Sequence, residues 1–167
     1  LAAKAECDPQ PVLFTLCDAE GFLNFDTLVE QADPHWEKPA ELPGNDDIML
    51  MYFTSGTTGM PKMAAHTWTY PIAQTVTAYY WHNVGDRDIH LAVADTGWAK
   101  ASWGKMYGQW ICGATLFVYD FDRFVAADLL ERLAKYHVTS FCAPPTVYRF
   151  IIKEDLTRYD LSALRWA

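Results

Sequence analysis

Strands alternating with helices predict an α/β fold for this 167-residue chain: a layered, mixed or parallel sheet flanked by helices. Three stretches carry that reading. The apolar, β-prone run Ile48-Met-Leu-Met-Tyr-Phe53 reads as a buried strand and leads into a loop of glycines and hydroxyl residues. Residues 114–143 read as strand, helix, strand, with a connection long enough only for a parallel, right-handed crossover. Pro144-Pro145 then opens another helix through about Lys153, because proline suits a first helical turn.

From the N-terminus, residues 12–16 form a short strand candidate and Gly21 ends the turn after them. Asn24 to Gln31 reads as a short helix. Residues 33–47 hold three prolines, one glycine and five acids against Lys38 alone, the composition of a solvated connector. Met63 to Thr67 is a second strand that makes the preceding loop a hairpin tip. Trp68 to Trp81 follows as a helix with an apolar stripe at 68, 72, 76 and 80, and Pro71 in its first turn. Gly85-Asp86 breaks the chain, Ile89 to Ala94 is a strand, and Ser102 to Cys112 is read as helical. Ala114 to Tyr119 is β-branched and aromatic, hence a strand. Asp122 is expected to cap a helix from about Arg123 to His137, with Val125, Leu129, Leu133 and Tyr136 on one face. Val138 to Ala143 completes the set as a strand.

Composition narrows the function. Half the chain is hydrophobic and 15% is aromatic, with seven Trp, enough for a real core. The net charge of −8 and the scattering of thirteen basic residues speak against a nucleic-acid groove or an anionic membrane surface. The uncharged stretch Ile48 to Pro61 is too short and too polar to span a bilayer, and residues 1–6 lack the apolar segment of a signal peptide. Cys7, Cys17, Cys112 and Cys142 contain no C-x-x-C pair and no zinc spacing with the five His, and read as reduced thiols in a cytosol-like compartment. With no initiator Met, and an apolar run at Leu164-Arg-Trp-Ala167, the chain reads as a piece of a longer protein.

The chemistry concentrates in Thr54-Ser-Gly-Thr-Thr-Gly-Met-Pro-Lys62. Gly56 and Gly59 permit positive φ and close backbone approach. Successive N–H groups there can form an anion-binding concavity, Thr54, Ser55, Thr57 and Thr58 add donors, and Lys62 supplies a point charge. That combination suits a polyphosphate. It is not the G-x-x-x-x-G-K-[ST] pattern, since the glycines are three apart and Pro61 and Met63 flank the lysine. A cradle that does not run straight into a helix suits a lid over departing phosphates.

A second constellation, Ala94-Asp-Thr-Gly-Trp98, closes a predicted strand, at the edge where open α/β sheets bind ligands. Gly97 lets the backbone turn and Trp98 offers a flat wall, although seven Trp make a core role the favoured reading from composition alone. Ala101, Ser102 and Gly104 leave volume, whereas Trp103 and Met106 limit depth. His66, four residues after Lys62, could donate to a carboxylate or phosphate oxygen, or could equally be a satisfied structural residue. His35, His82, His90 and His137 have no partner in sequence and receive no role.

The loop resembles the signature Thr-Ser-Gly-Thr-Thr-Gly-x-Pro-Lys of the acyl-adenylate-forming (AMP-binding) superfamily. Lys62-Met-Ala-Ala-His-Thr67, Ala94-Asp-Thr-Gly-Trp-Ala-Lys100 and Ala143-Pro-Pro-Thr-Val-Tyr-Arg149 look most like its medium-chain acyl-CoA synthetase branch. The likeness runs from about Val12 to Ala167, with Met63 standing where many members carry Gly. It implies that residues 1–167 are part of an N-terminal adenylating domain, and that the adenine-binding Gly-Glu segment, the ribose-binding Asp and a C-terminal domain with a catalytic Lys lie outside this chain.

By that resemblance the reaction joins a short- or medium-chain carboxylic acid to coenzyme A, the co-substrate, through an acyl-adenylate, with ATP and Mg²⁺ as cofactors. Thr54, Ser55, Gly56, Thr57, Thr58, Gly59 and Lys62 would hold the nucleotide, Lys62 and Thr58 acting catalytically and Thr58 helping to ligate Mg²⁺. Trp98, Gly97 and His66 would border the acid. The partners implied are small molecules, with no nucleic acid and no membrane span, and a homo-oligomer is compatible. The compartment implied is the cytoplasm, or the mitochondrial matrix in a eukaryote. Aryl-CoA ligases and carrier-protein loading domains share the loop and remain open, as does a non-catalytic nucleotide-binding role for the fragment by itself.

Overall fold

The computed structural model describes residues 2–55 and 59–167 and resolves into two compact units, 1–42 and 43–167, divided within the acidic connector. In the first unit, helix α1 (Ala2–Ala5) precedes two short strands, β1 (Phe14–Thr15) and β2 (Leu23–Asn24), which pair in parallel. Gly21, at φ +80°, makes the turn between them. Helix α2 (Phe25–Gln31) begins where expected, because the Asn24 side chain accepts the Thr27 amide at 3.1 Å and satisfies an otherwise orphaned donor.

The second unit opens with the predicted hairpin. β3 (Ile48–Thr54) and β4 (Lys62–Thr67) are antiparallel, with Thr54 opposite Lys62 and Tyr52 opposite Ala64. The strand expected to be buried is not. Ile48, Met51 and Phe53 are 59%, 53% and 74% exposed, because β3 has one partner strand and its run is apolar on both faces.

Helix α3 (Tyr70–Tyr80) carries its proline in the first turn. Its apolar stripe faces outward: Trp68, Ile72, Val76 and Tyr80 are all exposed, and the buried residue is Ala78. Gly108 decides which face packs. A Cβ there would stand 2.3 Å from the Gln74 carbonyl oxygen and 3.0 Å from the Ala78 Cβ, so only the small-residue face of α3 can come this close. Gly108 sits on α5 (Tyr107–Ile111), the last part of a helical stretch that starts as α4 (Ala99–Ala101) and passes through a π turn (Ser102–Met106).

A three-stranded, all-parallel sheet lies at the centre of this unit. Its order places β5 (Ile89–Ala92) between β6 (Thr115–Leu116) and β7 (Ser140–Cys142). β6 and β7 are thus parallel, as the connection length requires, but they are separated by β5. Helix α6 (Ala126–Lys135) links them and α7 (Pro145–Ile151) follows β7, with a single 3-10 turn at Leu156–Arg158.

Two expectations about α6 are corrected. Asp122 does not cap it; Val125, in extended conformation, occupies the cap position without a side-chain bond. The buried face is Ala126, Leu129, Leu130 and Leu133, whereas Val125 and Tyr136 are each 42% exposed, because the helix starts three residues later than its acidic signal suggests. Those leucines close the core with Leu91, Val138, Phe141, Val147 and Ile151.

Gly108→Ala would force α3 and α5 apart and lower stability by about 2 kcal/mol or more, read as a drop in the denaturant midpoint. A midpoint unchanged from wild type would show that the interhelical approach is loose.

Candidate functional site

The hairpin builds one side of the site from local geometry. Pairing of Thr54 with Lys62 closes the loop, and the Thr54 hydroxyl donates to the Lys62 carbonyl at 3.4 Å. Thr54, Ser55, Gly59 and Lys62 are all exposed at this end of the ribbon. Gly59 holds φ +113°, a conformation that side-chain-bearing residues rarely adopt, with open space where a Cβ would be. Gly56, Thr57 and Thr58, the middle of the predicted cradle, lie outside the described residues. The loop runs into a strand after Lys62, not into a helix.

His66 stands elsewhere. It is four residues along β4 from Lys62, about 13 Å at strand rise. Its ring lies 4.4 Å from that of Tyr70 and 6.1 Å from that of Tyr52, half-buried in an aromatic group under the hairpin.

The Asp95–Trp98 turn leaves the C-terminal end of β5 as anticipated. The Gly97 amide donates to the Asp95 carboxylate at 2.7 Å, and a Cβ on Gly97 would stand 3.1 Å from that same oxygen. Trp98 is 69% exposed, so the core role that composition favours is not the one it occupies here. Two residues of the following helical stretch, Lys100 and Trp103, help line a cleft of about 500 Å³ together with Trp81, His82, Tyr148 and Trp166.

Behind that cleft lies a buried polar network to which sequence reasoning assigned nothing. His82, His90, Gln109 and Ser140 are each at most 3% exposed. Gln109 Nε2 donates to His82 Nδ1 at 3.0 Å, which places the His82 proton on Nε2. His90 Nε2 donates to the Gly104 carbonyl of the π turn at 2.9 Å. The Ser140 hydroxyl lies 2.9 Å from His90 Nδ1 and 3.0 Å from the His82 carbonyl, so its one proton has two acceptors. Among the described residues, His82 Nε2 and Gln109 Oε1 have no partner. The signal was absent from the sequence because these bonds span 14 to 58 positions.

Burial, then the neighbouring His90 and Lys100 charges, pushes His82 down to about 4. Burial lowers His90 too, against the pull of the Gly104 carbonyl and Asp88. At Asp88 burial raises the carboxyl, but bonds from the Thr139 hydroxyl at 2.7 Å, the Gly85 amide at 2.9 Å and the Arg165 guanidinium outweigh it and hold it below the usual carboxylate range. Among the described residues no group of three or more His, Cys, Asp or Glu could hold a metal ion, and no helix is long and apolar enough to cross a membrane.

A parallel α/β sheet, preceded by a hydroxyl-rich glycine hairpin and presenting a tryptophan turn at its C-terminal edge, defines the class. A family model described as AMP-binding enzyme matches residues 1–167, and the chain belongs to that family. It is 40% identical over 146 residues to mitochondrial acyl-coenzyme A synthetase ACSM4 of Homo sapiens, covering 87% of this chain and 25% of that protein. To mitochondrial ACSM3 of Homo sapiens it is 34% identical over 167 residues, 99% of this chain and 28% of that protein. The chain thus spans about a quarter of the length of these relatives. Its fold is shared with the Brucella canis acyl-CoA synthetase (TM-score 0.76, 24% identity, 89% of this chain and 28% of that one). It is likewise shared with the anthranilate CoA ligase AuaEII in complex with anthranoyl-AMP (TM-score 0.75, 24% identity, 92% and 30%).

Because His82 is held neutral, the unfolded chain binds more protons than the folded one between about pH 4 and the ordinary histidine value near 6.5. Stability is full above that window and falls as pH drops through it. Denaturant midpoints measured at pH 7.5 and 4.5 will show this loss, and His82→Gln will flatten it; an equal slope in both proteins would exclude His82 as the cause.

Proposed function

We propose that the protein carrying this chain is an AMP-forming acyl-CoA synthetase, and that residues 1–167 form part of its N-terminal, nucleotide-binding domain with 33–47 as a connector. The reading is supported above all by the Thr54–Lys62 closure, which brings the first and last residues of the hydroxyl–glycine loop together at an exposed hairpin end. The reaction has two steps. A carboxylate oxygen attacks the α-phosphorus of Mg-ATP, the bond to the β-phosphate bridge breaks, and pyrophosphate leaves. The thiol of coenzyme A then attacks the acyl carbon, losing its proton, and AMP departs.

Chemistry of this kind depends on positioning and on neutralising charge as it develops. Thr54, Ser55, Gly56, Thr57, Thr58 and Gly59 supply hydroxyls and amides to the β- and γ-phosphates, Thr58 helps to ligate the Mg²⁺ that enters with ATP, and Lys62 offsets charge on the leaving pyrophosphate. Gly97 and Trp98 border the acid. His66 belongs to the supporting aromatic group and, at its distance from Lys62, reaches the acid side of the site more readily than the phosphates. Trp81 and Trp103 wall the neighbouring cleft and favour a short- to medium-chain acid over a very long one. The likeness to relatives named as mitochondrial supports a mitochondrial location if the source is a eukaryote.

Lys62→Ala in the full-length protein is expected to slow ATP–pyrophosphate exchange by ~10²-fold or more, with circular dichroism unchanged. Exchange at the wild-type rate would reject the assignment. A panel running from acetate to dodecanoate, with benzoate alongside, will separate an alkyl-acid synthetase from an aryl-CoA ligase.

A further inference from the structure

We propose that Tyr52 and Ser102 are positioning residues that fix the phosphate hairpin in register with the helical stretch flanking the acid site. The inference rests on the functional reading above and adds two side chains that this reading does not use. Tyr52 lies on β3, two residues before Thr54, and its hydroxyl is hydrogen-bonded to that of Ser102 across 50 positions. Ser102 is 6% exposed and donates to the Ala99 carbonyl at 2.7 Å. A hydroxyl has one proton, and a carbonyl can only accept. With the Ser102 proton on the Ala99 carbonyl, Tyr52 is the donor to Ser102, whose oxygen also faces the Tyr70 hydroxyl.

Both ends of this short chain matter. At one end is the strand that carries Thr54 and Ser55. At the other, Ala99 directly follows Trp98, and Ser102 lies between Lys100 and Trp103 of the cleft wall. Ser102 is also the first residue of the π turn, its carbonyl accepting the Tyr107 amide where the regular helical ladder is interrupted. Such turns leave backbone orientation less fixed than an uninterrupted helix does, and an external side-chain bond at the junction sets it. The surroundings partly shield the bond from water. The Tyr70 ring packs 4.4 Å from His66 and 6.3 Å from Tyr107, and burial raises the Tyr70 hydroxyl with Ser102 beside it. A part-buried hydroxyl chain between two substrate-bearing elements can set the approach of a carboxylate oxygen to a phosphorus atom, a geometry to which rate is steeply sensitive.

Tyr52→Phe and Ser102→Ala each delete a single oxygen. In the full-length protein, with the best acid from the panel above, each should lower kcat of ATP–pyrophosphate exchange about tenfold while the KM values for ATP and acid move less than twofold. The double variant should be no slower than the worse single one, because both deletions break the same chain. A bond that served stability alone would lower the thermal midpoint and leave kcat at saturating substrate unchanged. That result, or effects that multiply in the double variant, would overturn the proposal. If either variant is unstable at assay temperature, Ser102→Thr, which keeps the hydroxyl, must recover most of the lost kcat; failure to do so also overturns it. A wild-type protein without exchange would overturn the functional reading and this inference together, whereas an active wild type with unaffected variants removes the inference only.

Discussion

The carboxylate of Asp88 is the constraint from which the second unit is built. It stands one residue before β5, almost fully buried, and collects the Thr139 hydroxyl, the Gly85 amide and the Arg165 guanidinium. Its own carbonyl accepts the Thr115 amide at 2.7 Å, while the Ile89 amide donates to Thr139 Oγ1 at 3.0 Å. The N-terminal ends of all three parallel strands are thereby held at one level. Parallel strands gain little from their own connections, which are long, so a polar clasp at the strand starts is what sets register. Because the strands are aligned at that edge, their opposite ends present the Asp95–Trp98 turn and the cleft residues at a defined height.

The polar interior behind the cleft is the second organising element. An apolar filling would serve stability as well, and buried polar groups are tolerated only where partners are supplied. Here partners are supplied to all but His82 Nε2 and Gln109 Oε1, and the bonds join the end of α3, the sheet and the π turn into one body. The imidazoles are held neutral, which removes the cost of a buried charge at the expense of sensitivity to acid.

What could be read from the sequence was local. The hairpin, the short helix ending at Gln31, the Pro-led helices and the turn after β5 depend on residues within a few positions of one another, and each stands where its composition places it. What escaped was set by distant partners. The apolar stripe on α3 has the right period, but periodicity cannot say which face another helix will cover, and the missing Cβ of Gly108, thirty-four positions beyond Gln74, selected the small-residue face. Asp122 carries a capping side chain, yet α6 begins only after Val125 has turned the chain toward the core. His82 and His90 looked partnerless because their partners lie on other elements. The hairpin and the turn after β5 were legible; the hydroxyls of Tyr52 and Ser102 and the imidazoles behind the cleft were not.

The π turn separates two demands made on one helical stretch. Upstream of it, residues face the cleft; downstream, Gly108 and Gln109 are committed to α3 and to His82. In an uninterrupted helix the two halves would share one phase, and re-aiming Lys100 would rotate Gly108 out of its notch by the same angle. An extra residue per turn breaks that linkage. Loss or gain of one amino acid between 102 and 106 would swing the upstream half by roughly 100° and leave the helix junction alone. Lineages descended from a common ancestor could thus reshape what the cavity accepts by indels in this short segment, without repacking the scaffold beneath.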